Sequence, residues 1–409
     1  MKKSLYELGE LPPVGFIPRK MLASVIRPDR YGDPIDAFQD EIVDVPQISP
    51  NEVLIYVMAA GINFNNVWAA RGTPLDVIAA RRKRGSSEDF HIGGSEGSGI
   101  VWAVGDRVDN VDVGDSVVLS SCIWNESAND IRMGADPMTS SSQSVWGYEE
   151  NYGSFAQFTV VQDYQCHPKP DRLSWAEAAA YILTGATAYR QLLGWYPNVV
   201  QPGDPVLIWG GAGGLGSMAI QIARTYGGRP VAVVSSAERE KHCESLGAVG
   251  VVNRREFSHW GRLPDIGNEP DMAKWLTEVR RFGTRYWEAL GAKRAPKIVI
   301  EHAGEDTIPT SIYMCDNAGM VVICGGTTGY NADVDLRYLW MRQKRLQGSH
   351  FANLQQCRAI TELVSIGDVD PCLSYVGAFA EIGRVHQLMC DNQQPPGNMA
   401  VLVNAQSDC

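Results

Sequence analysis

Gly210-Gly211-Ala212-Gly213-Gly214-Leu215-Gly216 lies between an apolar run, 205–209, and a stretch of helix formers, 217–226. Read as G-x-G-x-x-G, it offers Gly211 for a tight turn, Gly213 for close backbone approach to a pyrophosphate, and Gly216 for packing of helix on strand. Gly214 and Leu215 then open a helix whose N–H groups and positive dipole end would face the phosphates. A glycine run alone is a weak signal. Its position between a strand and a helix, with further βα units behind it, is what carries the inference. About 20 residues on, where an NAD site places an acid for the ribose 2′-hydroxyl, the next apolar run ends at Val234 and the chain reads Ser235-Ser236-Ala237-Glu238-Arg239-Glu240-Lys241. The hydroxyls of Ser235 and Ser236 and the cations of Arg239 and Lys241 suit a 2′-phosphate. No acid stands at the strand tip, since Glu238 comes one helical step later. NADPH is therefore the expected cofactor.

The elements that position this loop follow from the rhythm of the chain. Residues 53–58, 99–105 and 113–119 are short apolar runs separated by Asp, Asn and Gly turns, the pattern of an all-β barrel. From about 172 onward the rhythm becomes strand–helix alternation. Ser174 suits an N-cap, and strands are expected at 205–209, 231–234, 249–252, 297–300 and 320–324. That repetition implies a doubly wound parallel sheet. A helix at 357–366 and a strand at 399–403 remain, and should return to the barrel. The expected fold class is α/β: a Rossmann doubly wound parallel sheet domain (173–350) plus a GroES-like β-barrel catalytic domain (1–172, completed by 351–409).

Bulk properties exclude several classes. A chain of 409 residues exceeds one compact core, so two domains are expected. The net charge of −11 argues against nucleic acid as a partner. No 18-residue apolar stretch exists, and the first eight residues lack an apolar run, which reads against a membrane span or a secretory signal and for a cytoplasmic protein. Nine cysteines, at 122, 166, 243, 315, 324, 357, 372, 390 and 409, form no C-x-x-C pair. Neither a disulfide framework nor a clustered zinc site is indicated.

In the β half, residues 93–105 resemble the segment by which medium-chain dehydrogenases are recognised. Zinc-dependent members place a histidine before the glutamate and a ligand cysteine upstream. Here those positions read Ser95 before Glu96, and Ala60-Gly61-Ile62-Asn63 without cysteine. No metal is expected, so hydride delivery to an electron-poor alkene is favoured over alcohol oxidation.

Longer stretches carry a closer resemblance. Gly61-Ile62-Asn63-Phe64-Asn65-Asn66-Val67-Trp68, Phe90-His91-Ile92-Gly93-Gly94-Ser95, Trp146-Gly147-Tyr148-Glu149, Arg337-Tyr338-Leu339-Trp340-Met341, the run 343–353 and the run 396–403 are similar to crotonyl-CoA carboxylase/reductases. These form the enoyl-CoA carboxylase/reductase branch of the zinc-free medium-chain superfamily. The likeness spans about residues 15–404, and the Gly348–Asn353 and Trp146–Glu149 stretches are far more specific than the glycine loop. It implies reductive carboxylation. Hydride passes to the β-carbon of a 2-enoyl-CoA, crotonyl-CoA or a longer chain, and the α-carbon of the resulting enolate attacks CO2 to give an alkylmalonyl-CoA. The family's CO2 pocket uses an asparagine amide, a histidine, a glutamate that orients it and an aromatic screen. Carried over by motif these are Asn65, His350, Glu149 and Tyr148, with Asn63 and Asn66 close enough to compete for the asparagine role. An amide and an imidazole can both donate to carboxylate oxygens, and a carboxylate fixes an imidazole's tautomer.

Thr184-Gly185-Ala186-Thr187 resembles the segment that contacts the nicotinamide, which marks Thr187 for the cofactor. Small residues at Gly185 and Ala186 would leave room for acyl chains beyond four carbons, against which bulky Phe351 works. Arg81-Arg82-Lys83-Arg84 is the strongest cationic run, a candidate landing strip for CoA phosphates or simply a solvated loop; Arg342, Lys344 and Arg345 raise the same question. The resemblance also implies a homodimer or homotetramer. Two other functions stay open: an NADPH-dependent enoyl-CoA or quinone reductase that does not carboxylate, and a non-catalytic NADPH-binding protein.

Overall fold

The structure, a computed structural model, describes residues 2–13 and 15–406; Cys409 lies outside them. Two compact units emerge. One comprises Met1–Leu183, Asn353–Ile366 and Pro371–Cys409, the other Thr184–Ala352 and Gly367–Asp370.

In the second unit six strands run parallel; apolar runs rich in Val and Ile form the four inner ones, which are buried on both faces as such a sheet requires. The six are β1 (Pro205–Trp209), β2 (Arg229–Val234), β3 (Gly250–Asn253), β4 (Ile298–Glu301), β5 (Met320–Ile323) and β6 (Arg345–Gly348), in spatial order β3-β2-β1-β4-β5-β6. The reversal between β1 and β4 is the topological switch point, where the crevice for a dinucleotide opens in such sheets. Five of these strands were legible from the sequence; β6 was not, because Arg345-Leu346-Gln347-Gly348 alternates as a half-exposed edge. Helix α1 (Gly214–Thr225) follows β1, and α2 (Ala237–Ser245) follows β2, capped by Ser236. Helix α3 (Glu269–Leu290) was also not anticipated. It buries Met272, Trp275, Val279, Phe282, Tyr286 and Leu290 at helical spacing, starts on the Asn268 side chain and stops at Gly291, whose φ is 69°. The short segment Gly367–Asp370 joins this unit through Gln221, whose amide accepts from Asp370 N at 2.8 Å and donates to Asp370 O at 3.0 Å.

The first unit is built on a seven-stranded sheet around the ten-residue strand Glu52–Gly61. Val53 and Ile55 enter one apolar cluster with Val101, Val117 and Val161, while Leu54 and Tyr56 enter another with Met21, Ile92 and Phe155. The period-two alternation thus feeds a core on each face. The return strand Asn398–Leu402 pairs antiparallel with this central strand, Ala400 opposite Gly61, and parallel with Leu373–Ala378. A three-stranded sheet of Gln39–Asp44, Lys20–Ile26 and His91–Ile92 lies alongside in sequence.

Residues 174–183 belong to this unit, not to the Rossmann unit where strand–helix rhythm placed them. The helix begun by Ser174 is a reciprocal capping box with Glu177, but runs only from Trp175 to Ala178. Its Trp175 carbonyl accepts from Ser98 Oγ at 2.6 Å, tying it to the barrel. Among the described residues, no helix is long and apolar enough to cross a membrane.

Candidate active site

The glycine loop divides its tasks differently from the sequence expectation. Gly210, at the end of β1, has φ of 57° and makes the tight turn assigned to Gly211. A Cβ on Gly211 would instead come within 2.6 Å of Ala232 Cβ on β2. Gly213 caps α1, and a Cβ there would meet nothing nearer than Gly210 O at 3.5 Å, leaving the backbone open to a phosphate. A Cβ on Gly216 would sit 2.4 Å from Gly210 O, so only glycine allows helix and strand to close up. Gly214 and Leu215, both half-buried, form the first turn of α1.

Ser235 is buried at the tip of β2, and the Ser236 hydroxyl accepts from Arg239 N at 3.4 Å, which starts α2. Arg239 is half-buried; burial lowers its pKa, with Arg254 and Arg255 pushing the same way. These two arginines were missed in the sequence. The signal was available: Val234 on β2 is in register with Asn253 on β3, so the residues after each strand end side by side. The loop that would hold a 2′-phosphate therefore offers three guanidiniums, with Lys241 exposed farther along α2.

Glu301, also missed, is fully buried at the end of β4. Its carboxylate accepts from His302 N (3.0 Å), Ala303 N (2.9 Å), Thr307 Oγ1 (2.8 Å) and Ser311 Oγ (2.7 Å). It shapes the loop after β4, whose His302 ring packs on Gly210. Burial raises its pKa despite those donors.

Elsewhere in this unit, Gly185 and Thr187 are buried in the helix Ile182–Leu193. Beyond β6, Ser349 N donates to Ile323 O at 2.8 Å, His350 is exposed, and Phe351 is buried with φ of 49°. A bulky residue in that left-handed region carries backbone strain, which places it under constraint from its surroundings.

In the barrel unit, the three asparagines separate cleanly. Asn63 is buried, and its amide donates to Glu96 Oε1 at 2.6 Å. Asn66 is buried, accepts from Gly94 N at 3.1 Å and donates to Asn65 Oδ1 at 3.1 Å. Asn65 alone is half-exposed, its amide donating to Ser95 Oγ at 2.7 Å. Three residues further along the helix Phe64–Arg71, Trp68 stands 6.5 Å, ring to ring, from buried Tyr148. Glu149 follows in the same turn, its Oε2 accepting from Val145 N at 2.8 Å. Asn65, Tyr148 and Glu149 thus sit on neighbouring segments of one unit; His350 belongs to the other.

Ser95, at the position of the zinc-dependent histidine, is fully buried and hydrogen-bonded to Asn65. Among the described residues, no group of three or more His, Cys, Asp or Glu converges as metal ligands would. The cationic runs are mostly committed. Arg81 is buried, and Arg84 pairs with Glu150 at 2.7 Å, leaving Arg82 and Lys83 exposed and, among the described residues, without an ion pair. Lys344 donates to the carbonyls of Ile312 and Tyr313, and burial pushes its pKa down to about 8; Arg345 donates to Tyr196 O.

Barrel, switch-point loop and glycine-opened helix together define a nucleotide-dependent reductase of the medium-chain dehydrogenase/reductase class. Residues 49–171 match the family described as alcohol dehydrogenase GroES-like domain, and residues 214–365 the family described as zinc-binding dehydrogenase. The crotonyl-CoA carboxylase/reductase of Cereibacter sphaeroides is 48% identical over 404 residues, covering 99% of this chain and 92% of that protein. The crotonyl-CoA reductase of Streptomyces collinus is 35% identical, covering 87% and 79%. Among solved structures, the crotonyl-CoA carboxylase/reductase AntE in complex with NADP is 67% identical, with TM-score 0.95 and coverage of 99% and 100%. The 2-octenoyl-CoA carboxylase reductase CinF, in complex with NADP and 2-octenoyl-CoA, is 34% identical, with TM-score 0.88 and coverage of 96% and 90%. The chain belongs to the crotonyl-CoA carboxylase/reductase family.

Proposed function

We propose that this chain catalyses the NADPH-dependent reductive carboxylation of a 2-enoyl-CoA, crotonyl-CoA or a longer-chain homologue, to an alkylmalonyl-CoA. Family membership over the whole chain is the observation that carries this function. The structure's own residues fit the cofactor: Gly213 leaves an open approach at the head of α1, and Ser235, Ser236 and the guanidiniums of Arg239, Arg254 and Arg255 suit a 2′-phosphate. NADPH supplies the hydride that reduces the β-carbon and leaves an enolate on the thioester. Thr187 and Gly185 are assigned to the nicotinamide and acyl surroundings, with Phe351 limiting the pocket.

The enolate α-carbon then attacks CO2, and two electrons become the new C–C bond while negative charge moves to the carboxylate oxygens. Neutral donors stabilise that developing charge. Asn65 is assigned as one donor: it alone of the three asparagines is half-exposed, and among the described residues only one of its two amide protons is committed, to Ser95. His350 is assigned as the other, with Glu149 to orient it and Tyr148 to keep water protons from the enolate. A homodimer or homotetramer is proposed through the edge strand β6, beside which Leu336, Trp340, Met341 and Leu346 are exposed. We place the enzyme in the cytoplasm.

The deciding experiment measures NADPH oxidation with crotonyl-CoA, with and without bicarbonate, and identifies products by mass. A product one CO2 heavier than butyryl-CoA is expected, and His350→Asn should cut its yield by about 10–100-fold, the range for loss of a preorganised donor or a misplaced substrate. Butyryl-CoA alone at saturating bicarbonate would mean a plain enoyl-CoA reductase. No oxidation of NADPH with any enoyl-CoA would mean a cofactor-binding protein.

A further inference from the structure

We propose that Arg81, buried behind the Tyr148–Glu149 turn, is a positioning residue that holds this turn in place for carboxylation. This role rests on the function proposed above.

Arg81 lies in the helix Val77–Lys83, which Asp76 caps by accepting from Ala79 N at 2.8 Å. The helix turns Arg81 inward while Arg82, Lys83 and Arg84 face solvent. At 4% exposure, and with no ion pair among the described residues, a guanidinium is costly to bury; the charges of Glu88 and Glu150 offset part of that cost, and the rest falls to dipoles aimed at it. Those dipoles are backbone carbonyls on two separate segments. Its Nη2 donates to Phe90 O at 2.8 Å, and its Nη1 reaches Glu149 O at 3.4 Å. The same Nη1 lies 3.2 Å from His91 Nδ1. Arginine can only donate, so His91 Nδ1 is the acceptor and its proton sits on Nε2. The buried His91 ring also lies beside the Gly147 backbone. Arg81 and His91 therefore reach both ends of the Gly147–Glu149 segment.

The two sides of this turn are not equally supported. On one side Gly147, with φ of 69°, is pressed so closely that a Cβ would lie 2.0 Å from Gly94 O, next to Ser95, the partner of Asn65. The residues that flank the turn, Trp146 and Glu150, line a recess of about 390 Å³ together with Arg81, Asn151 and Tyr152. The turn cannot advance toward Gly94, and the Arg81 bridge from Phe90 O to Glu149 O opposes its recession the other way. A shift of about 1 Å in a positioning group can cost up to 10²-fold in rate. Recession would move the Tyr148 screen and the Glu149 carboxylate together, favouring protonation of the enolate over its capture of CO2, while leaving hydride transfer intact.

The test compares Arg81→Met and Arg81→Lys with the wild type in the full-length enzyme, with NADPH, crotonyl-CoA and saturating bicarbonate. The readout is the ratio of carboxylated to merely reduced product beside the NADPH oxidation rate. Arg81→Met is expected to lower that ratio about tenfold while oxidation stays within about twofold. Arg81→Lys should recover part of the ratio, because an ammonium can still serve one carbonyl. An unchanged ratio in Arg81→Met, or an equal fall in both products, overturns the role. If Arg81→Met does not fold, the lysine variant decides, and a wild-type ratio there overturns it too. A wild-type enzyme that makes no carboxylated product at all overturns the function itself, and this role with it.

Discussion

Glu96 shows how burial sets a single residue's chemistry. It is 1% exposed and accepts from Asn63 Nδ2 at 2.6 Å and from Leu183 N at 2.9 Å. Both donors favour the carboxylate, yet desolvation outweighs them and pushes its pKa up to about 7. A folded-state pKa above the ordinary 4.5 means that the native protein holds a proton the unfolded chain has lost between pH 4.5 and 7. Its contribution is complete below pH 4.5 and is lost as pH rises toward 7, on the order of 3 kcal/mol across that window. Glu96→Gln, whose neighbour Asn63 can flip to present its oxygen, should lack this slope. Urea melts of both proteins at pH 5 and 7 check it: parallel changes would mean that Glu96 is ionised throughout. The sequence marked Glu96 only as a neighbour of Ser95, because burial on all sides is a property of the packed barrel. The same packing separated Asn65 from Asn63 and Asn66, which residue type alone left equivalent.

At the scale of elements, the unit most specified locally is strand β1, its glycine loop and α1. Gly216→Ala would force a methyl to within 2.4 Å of Gly210 O, a contact that must be relieved by moving the helix or the strand. Overpacking of that kind costs about 1–3 kcal/mol, and it should weaken NADPH binding more than tenfold because the helix N-terminus moves from the phosphates. Fluorescence titration with NADPH, alongside a thermal melt, would show this; intact affinity would mean that the loop absorbs the methyl. Strand, loop and helix were readable because apolar run, glycine spacing and helix formers coincide over few residues. Arg254 and Arg255 were not, because their place beside Ser235 follows from the parallel register of β2 with β3. The exchange of roles between Gly210 and Gly211 was hidden for a similar reason: the groups that limit their space, His302 beside Gly210 and Ala232 beside Gly211, come from other parts of the sheet.

At the scale of the whole molecule, the apolar surface beside β6 is the feature that a monomer leaves uncovered. Leu336, Trp340 and Met341 are each more than 60% exposed, beside an edge strand with unpaired backbone groups. Trp340→Glu combined with Leu346→Lys should shift the protein to monomer in sedimentation velocity, with NADPH binding retained. An unchanged assembly would place the interface elsewhere. Sequence resemblance implied assembly; the exposed face became visible only once 336–348 had been folded into a short helix and an edge strand.

By itself the sequence determined the class of fold, the dinucleotide loop, the preference for a 2′-phosphate and the family, because each is written in short runs of residue type and spacing. It also named the residues assigned to CO2. Only the tertiary structure decided which asparagine keeps a half-exposed amide, that Arg81 turns inward from its cationic run, and that Arg254 and Arg255 stand beside Ser235. Burial, strand register and the direction of each side chain arise when segments far apart in the chain pack together, and no local spacing encodes them.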